Sequence, residues 1–253
     1  MSLSLIQYVL KAAIRDKLII AMLVLIILTS SMSIFMASSA ITEQDQFLAV
    51  YASGSLRILA VLGLVIFTAF FVRRSFDSKD VEFLLSRPIS RVKFVLSYAV
   101  AFSILAVTLS LACALALYCM SPHLLSNAFI LWCFSIIIET IIMVNLTFAF
   151  AMILSSAATI VLAALAFYVL ARMMGQILGI LDSGTAGPVM DGVQVIMNMV
   201  SAVTPRLDLM GQTSWLVYGI GADVNFMFVA IQGGIFLAVI LIVALIDLVL
   251  RQF

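Results

Sequence analysis

The sequence predicts an all-α polytopic membrane protein with six transmembrane helices, and three observations carry that prediction. Hydrophobic residues make up 65% of the 253 and charged residues 10%, against roughly 45–50% and 25% in a soluble domain. The apolar residues fall in runs of about 20 or more, the length a helix needs to cross the hydrocarbon core. The runs do not alternate between apolar and polar, which selects helices over barrel strands, and in lipid only those two structures give every backbone amide a partner.

Residues 1–17 predict an interfacial helix, because Leu3, Ile6, Val9, Leu10, Ala13 and Ile14 recur at helical spacing and Lys11, Arg15 and Lys17 follow towards its end. Span one is expected from Leu18 to Ala40; Ala37-Ser38-Ser39-Ala40 looks like a cleavage site, but the run before it is too long for a signal peptide. Span two covers Ser53 to Val72, with Arg57 near its outer end, and span three covers Phe94 to Met120, broken by Ser121-Pro122-His123. Span four runs from Ala128 to Leu154 and turns at Ser155-Ser156 into span five, Thr159 to Ile180. Span six runs from Phe226 to Leu250. No internal repeat or linker divides the chain, so residues 1–253 are expected to form a single membrane domain.

Net charge is only +1, so meaning lies in where the charges sit. With the N-terminus inside, Lys11, Arg15, Lys17, Arg73, Arg74, Lys79, Arg87, Arg91, Lys93 and Arg251 are cytoplasmic, 10 of the 13 basic residues. The positive-inside rule therefore places both termini in the cytoplasm of a cell membrane. Cys113, Cys119 and Cys133 have no metal-ligand spacing and read as small buried hydrophobes, and His123 is the sole histidine. No metal site, no nucleic-acid partner and no bound cofactor are expected.

Between spans two and three lies the most charged stretch, Arg73 to Lys93. Asp77 can cap a short helix with Asp80 in its first turn, where the dipole favours an acid. Phe76, Phe83 and Leu84 share one face of that helix, Pro88 stops it, and Ser90 can cap span three. On physics alone this is either a basic loop held to anionic headgroups or a docking helix for a soluble partner.

The segment Phe83-Leu84-Leu85-Ser86-Arg87-Pro88-Ile89-Ser90-Arg91-Val92-Lys93 resembles a signature of type-2 ABC exporter permeases, in which Leu-Leu-Ser-x-Pro-Ile-Ser-Arg leads into the third span. Thr204-Pro205-Arg206-Leu207-Asp208-Leu209 is similar to that family's Pro-x-Leu-Asp-Leu element. The family's Gly-Thr pair is absent, with Lys79-Asp80-Val81 in its neighbourhood, and its Gly-Lys after the motif reads Ser97-Tyr98. The resemblance implies a transport subunit that pairs with a second permease, a homodimer in the simplest case, and with cytoplasmic ABC ATPases. The chain contains no Gly-x-x-x-x-Gly-Lys-Ser/Thr loop, so ATP and Mg would be held by the ATPase. By the same resemblance Asp77, Asp80, Glu82, Phe83, Arg87, Pro88 and Arg91 form the coupling surface.

Within the spans, Glu139 and Arg172 lie near the middle of spans four and five. A charge at that depth costs about 2.5–3.5 kcal/mol on insertion scales, so the two are expected to pair or to face a water-filled route. Asn145 and Gln176 are expected to hydrogen-bond between helices, Asp247 to pair with Arg251, and Gly175 and Gly179 to permit close helix approach. The stretch from Leu181 to Asn225 is too long for a turn. Val189, Met190, Val193, Ile196, Met197, Val200 and Val203 mark an apolar stripe on a helix that lies on, or dips into, the outer surface. The resemblance implies an outer-gate role there, with Val193, Met197 and Val200 as candidates. The competing class is a non-transporting anchor or assembly factor that recruits a soluble partner through the same loop. Intramembrane enzymes are disfavoured, since no paired aspartates, Ser–His dyad or His-Glu-x-x-His element is present.

Overall fold

The computed structural model describes residues 3–40, 43–78, 91–183, 188–220 and 225–250, and every regular element among them is helical. Helix α1 (Leu3–Arg15) is amphipathic: Leu5, Val9 and Ala13, four apart, are buried, and the helix packs on α4 (Arg91–Met120) and α2 (Leu18–Ser38). Between α1 and α2 the chain bends at Lys17, whose φ of 57° lies in the left-handed region usually left to glycine. Helix α3 (Gln44–Asp77) begins nine residues before the expected Ser53 and ends five after Val72. Hydropathy marks only the part that lipid must hold, whereas a helix of about 50 Å continues into water at its ends.

Helix α4 ends at the 3-10 turn Pro122–Leu124, and α5 (Asn127–Ile153) starts at Ser126, whose Oγ accepts from the Phe129 amide at 3.4 Å. Then follow α6 (Ala157–Ser183), α7 (Pro188–Val203), the short α8 (Leu207–Met210) and α9 (Trp215–Tyr218), and α10 (Phe226–Leu250). Six of these, α2, α3, α4, α5, α6 and α10, are long and apolar enough to cross a membrane.

Their enclosure differs. In the most apolar stretch of α5, 72% is buried, against 17% for α2. Helix α5 is therefore the axis, with α3, α4 and α10 packed against it, and α2, α6 and α10 are the more open helices. One half of this axis is bound by aromatic rings: Tyr98 stacks on Phe148 at 5.9 Å, and Phe71 meets Phe102 edge-on at 6.0 Å. Hydroxyls and amides add short polar bridges between α4 and α5, from Ser110 to Thr140 at 2.8 Å and from Asn145 Nδ2 to Ser103 Oγ at 3.1 Å.

The aromatic half adjoins a polar end. A cavity of about 530 Å³ there is lined by Arg73, Arg74 and Asp77 of α3 together with Ser155 and Ser156 of the α5–α6 turn. Asp16 pairs with Arg74, and Arg91 donates to the Leu248 carbonyl at 2.9 Å. The bend after α1, the end of α3, the start of α4 and the end of α10 thus share one end of the bundle. Asp77 is the last residue of α3, paired with Arg73 one turn earlier, and the short helix it was expected to cap falls outside the described residues. Asp80, Glu82, Phe83, Arg87 and Pro88, with Ser90 and Arg251, lie outside the described residues. Cys113 is buried, but Cys119 is exposed near the end of α4, contrary to its reading as a core residue.

Candidate functional site: a buried ion cluster beneath a short covering segment

Counting at 1.5 Å per residue from Arg74, Ser155 and Ser156, which line the cavity at the polar end, Arg57 on α3, Glu139 on α5 and Arg172 on α6 all lie about 24–26 Å along the chain. Their common level brings the three charges together. Arg57 and Glu139 are completely buried.

The α5 face is shaped for an arginine. Trp132, Ser135 and Glu139 follow at three- and four-residue spacing and so share one side of the helix. Arg57 Nη1 donates to Glu139 Oε2 and Nη2 donates to Ser135 Oγ at 2.8 Å, while the guanidinium lies 5.2 Å from the Trp132 ring centroid. Arg172 approaches the other carboxylate oxygen, with Nε 3.6 Å from Oε1. Tyr168, one turn earlier on α6, is also buried and interacts electrostatically with Glu139. Two cations therefore share one anion, and burying them is tolerable only because most of their donors find acceptors.

Some of those acceptors come from outside the six long helices. Arg172 Nη1 donates to the carbonyls of Leu207 at 3.0 Å and Gly211 at 2.7 Å. Gly211 rests directly on the cluster: a Cβ there would stand 2.6 Å from Arg172 Nη1 and would also collide with Arg57. Glycine is needed for this approach. Leu207, Met210 and Trp215 are buried, so residues 204–218 fold inward and cover the charges rather than cross over them as a surface loop. Arg206 and Asp208 form their own fork, Nε to Oδ1 at 3.0 Å and Nη2 to Oδ2 at 2.9 Å, which holds the Arg206 guanidinium above its ordinary pKa. The Asp208 carboxylate sits where a Cβ on Gly175 would go, so Gly175 serves an approach within the chain; Gly179 has nothing near it.

The expected Glu139–Arg172 contact is present at 3.6 Å, but it is the looser of two, and Arg57 and Glu139 are completely buried whereas Arg172 is partly exposed. Arg57, which the sequence placed near a span end, is the principal partner. The signal that could have found it is the Trp132, Ser135 and Glu139 spacing, one helix face that offers a guanidinium two acceptors and a ring. Asn145 lies away from the cluster on Ser103, and Gln176 is exposed on α6 and is no interhelical partner among the described residues. Of the gate candidates, Val193 is exposed, whereas Met197 and Val200 are half-buried. The half-buried side of α7 among the described residues is marked by Gln194, Met197 and Val200. Among the described residues no His, Cys, Asp and Glu group could hold a metal.

Fold and site together define a multi-pass helical membrane protein with an arginine–glutamate–arginine cluster under a covering segment. No family model matches the chain, and no curated protein matches it.

Proposed function

We propose that this chain is the membrane-spanning subunit of an ATP-driven exporter, which forms the substrate path and couples to a separate cytoplasmic ABC ATPase that binds ATP and Mg. The carrying observation is the element Leu84-Leu85-Ser86-Arg87-Pro88-Ile89-Ser90-Arg91, placed between the second and third of six long apolar helices. Asp77, which precedes it, and Arg91, its last residue, lie at the polar end with the bend after α1 and the α5–α6 turn. That end would face the cytoplasm, with both termini, by the positive-inside rule. The second sequence element, Thr204 to Leu209, lies in the segment that covers the ion cluster, which supports a role in closing the far end of the path. Two such subunits, as a homodimer, would bracket the route.

The test is co-purification with the candidate ATPase and ATP hydrolysis in nanodiscs, for wild type and for Glu82→Arg with Arg87→Glu. Stable association with activity lost in the reversed-charge variant supports coupling. If no ATPase associates, or reversal changes neither association nor hydrolysis, the reading fails. One observation favours the second reading, a non-transporting anchor: Arg57 and Glu139 are completely buried. Failure of the coupling test would make that reading the first choice.

A further inference from the structure

Beside the bend between α1 and α2 lies an apolar groove of about 280 Å³, lined by α1, α2, α3 and α4 through residues such as Leu10, Ile14, Leu18, Leu64, Leu105 and Leu109. Its one polar liner, Thr108, already donates to the Leu105 carbonyl at 2.9 Å, so the groove presents no unmet hydrogen-bonding group. Such a lining suits a run of methylenes rather than a polar ligand. The groove starts at the bend and extends away from the polar end, since Leu64 lies about 15 Å along α3 from Arg74. That is about half the thickness of a hydrocarbon core.

Cations stand next to these groove residues along the chain. Lys11 follows the groove residue Leu10, Arg15 follows Ile14, and Lys17 precedes Leu18. All three are exposed. On the other side of α1, Lys11, Arg15 and Arg74 with Tyr8 and Asp16 line a second cavity of about 350 Å³. Four cations against Asp16, itself paired with Arg74, leave the bend strongly positive. Lys17 adds its charge from a left-handed backbone position that glycine would occupy at less cost. An anionic head and a hydrocarbon tail, adjoining at the depth of a membrane surface, are complementary to this pairing.

We propose that the α1–α2 bend is a binding site for an anionic phospholipid of the adjoining leaflet, with the phosphate held by Lys11, Arg15 and Lys17 and one acyl chain lying in the groove. The site depends only on the chain residing in a bilayer, and stands whether or not the chain moves cargo.

Native mass spectrometry of the purified full chain, titrated with dioleoyl phosphatidylglycerol and dioleoyl phosphatidylcholine, measures it. Phosphatidylglycerol is expected to bind at least tenfold more tightly. Since each basic residue near an anionic surface is worth about a factor of five, the triple variant Lys11→Gln, Arg15→Gln, Lys17→Gln should lose about a hundredfold for phosphatidylglycerol and little for phosphatidylcholine. Leu109→Trp, which fills the groove, should weaken both lipids, and dihexanoyl phosphatidylglycerol should bind far more weakly, at about a factor of four per buried methylene. Equal affinity for the two lipids, no effect of the triple variant, or displacement by inorganic phosphate with no dependence on chain length overturns the proposal. So does a Leu109→Trp chain that binds lipid normally but changes its oligomeric state, which would make a second copy the occupant. Wild type alone supplies an independent arm, needing no variant to fold. Phosphatidylglycerol with a diazirine in its acyl chain should label peptides containing Leu10–Ile14 and Ile104–Ala112, and labelling spread evenly over α2 and α10 refutes the site.

Discussion

Gly211 and Arg172 touch through the backbone of one and the guanidinium of the other: the Gly211 carbonyl accepts from Arg172 Nη1 at 2.7 Å, and its Cα leaves no room for a side chain. Gly211→Ala therefore has to lift the covering segment or displace Arg172. Overpacking of this kind costs about 1–3 kcal/mol. The contrast is Gly179→Ala, in a helix interior with open space around it, which should be neutral or stabilising by up to about 1 kcal/mol. Thermal unfolding of both variants in the same detergent checks the difference, and equal shifts would mean the contact carries no weight.

Glu139→Gln removes the carboxylate that both Arg57 and Arg172 meet. Breaking a buried pair by removing one partner costs about 3–5 kcal/mol, because the surviving charge stays buried. Two charges survive here, so a loss at the upper end is expected, read as reduced yield and unfolding temperature. The double variant Glu139→Gln, Arg57→Met removes the more deeply buried of the two cations as well and should recover part of the loss, a non-additivity expected of contacting residues. A double variant worse than the single would show that Arg57 is held by Ser135 and Trp132 more than by Glu139.

The fold was largely legible because hydrocarbon imposes a simple rule on sequence. Leu18 and Met120 are span limits in the sequence and helix ends in the structure, since each lies where an apolar run meets a polar break. The start of α3 was not legible: Gln44 to Ala52 is too mixed for lipid and continues as helix only by propagating the turn below it. Glu139 and Arg172 were readable as neighbours, because a charge far from either surface must find a partner in an adjacent helix. Arg57 was not, because a long basic side chain near a span end can reach water by itself, and hydropathy alone does not say that Ser135 and Trp132 enclose it. The inward fold of residues 204–218 was hidden for a related reason. Its acceptors are backbone carbonyls, to which every residue contributes alike.

Asp77 should separate structure from docking. Its pair with Arg73 joins side chains that are 60% and 29% exposed, one turn apart on the same helix. Exposed pairs of that kind contribute about 0.3–0.5 kcal/mol at most. Asp77→Ala should leave the unfolding transition unchanged within about 0.5 kcal/mol, while weakening association with the ATPase if Asp77 belongs to the coupling surface. Unchanged association would remove Asp77 from that surface without touching the fold.

Arg57→Lys and Arg172→Lys should differ although each keeps its charge. Arg57 uses the width of its guanidinium, donating from Nη1 to Glu139 and from Nη2 to Ser135 with its plane over Trp132. A lysine ammonium is a point donor that reproduces neither the fork nor the stacking, and its stronger hydration makes burial costlier. Arg57→Lys is thus expected to cost about 2–3 kcal/mol, the range of a lost charged hydrogen bond with its acceptor left buried. Arg172 instead sends one nitrogen to two carbonyls, a task three ammonium hydrogens can share, and its side chain is 23% exposed. Arg172→Lys should cost about 1 kcal/mol, the ordinary net worth of one such bond. Side-by-side unfolding of the two variants decides the point: a larger loss at Arg172 would make the covering segment, not the α5 face, the element that the cluster chiefly secures.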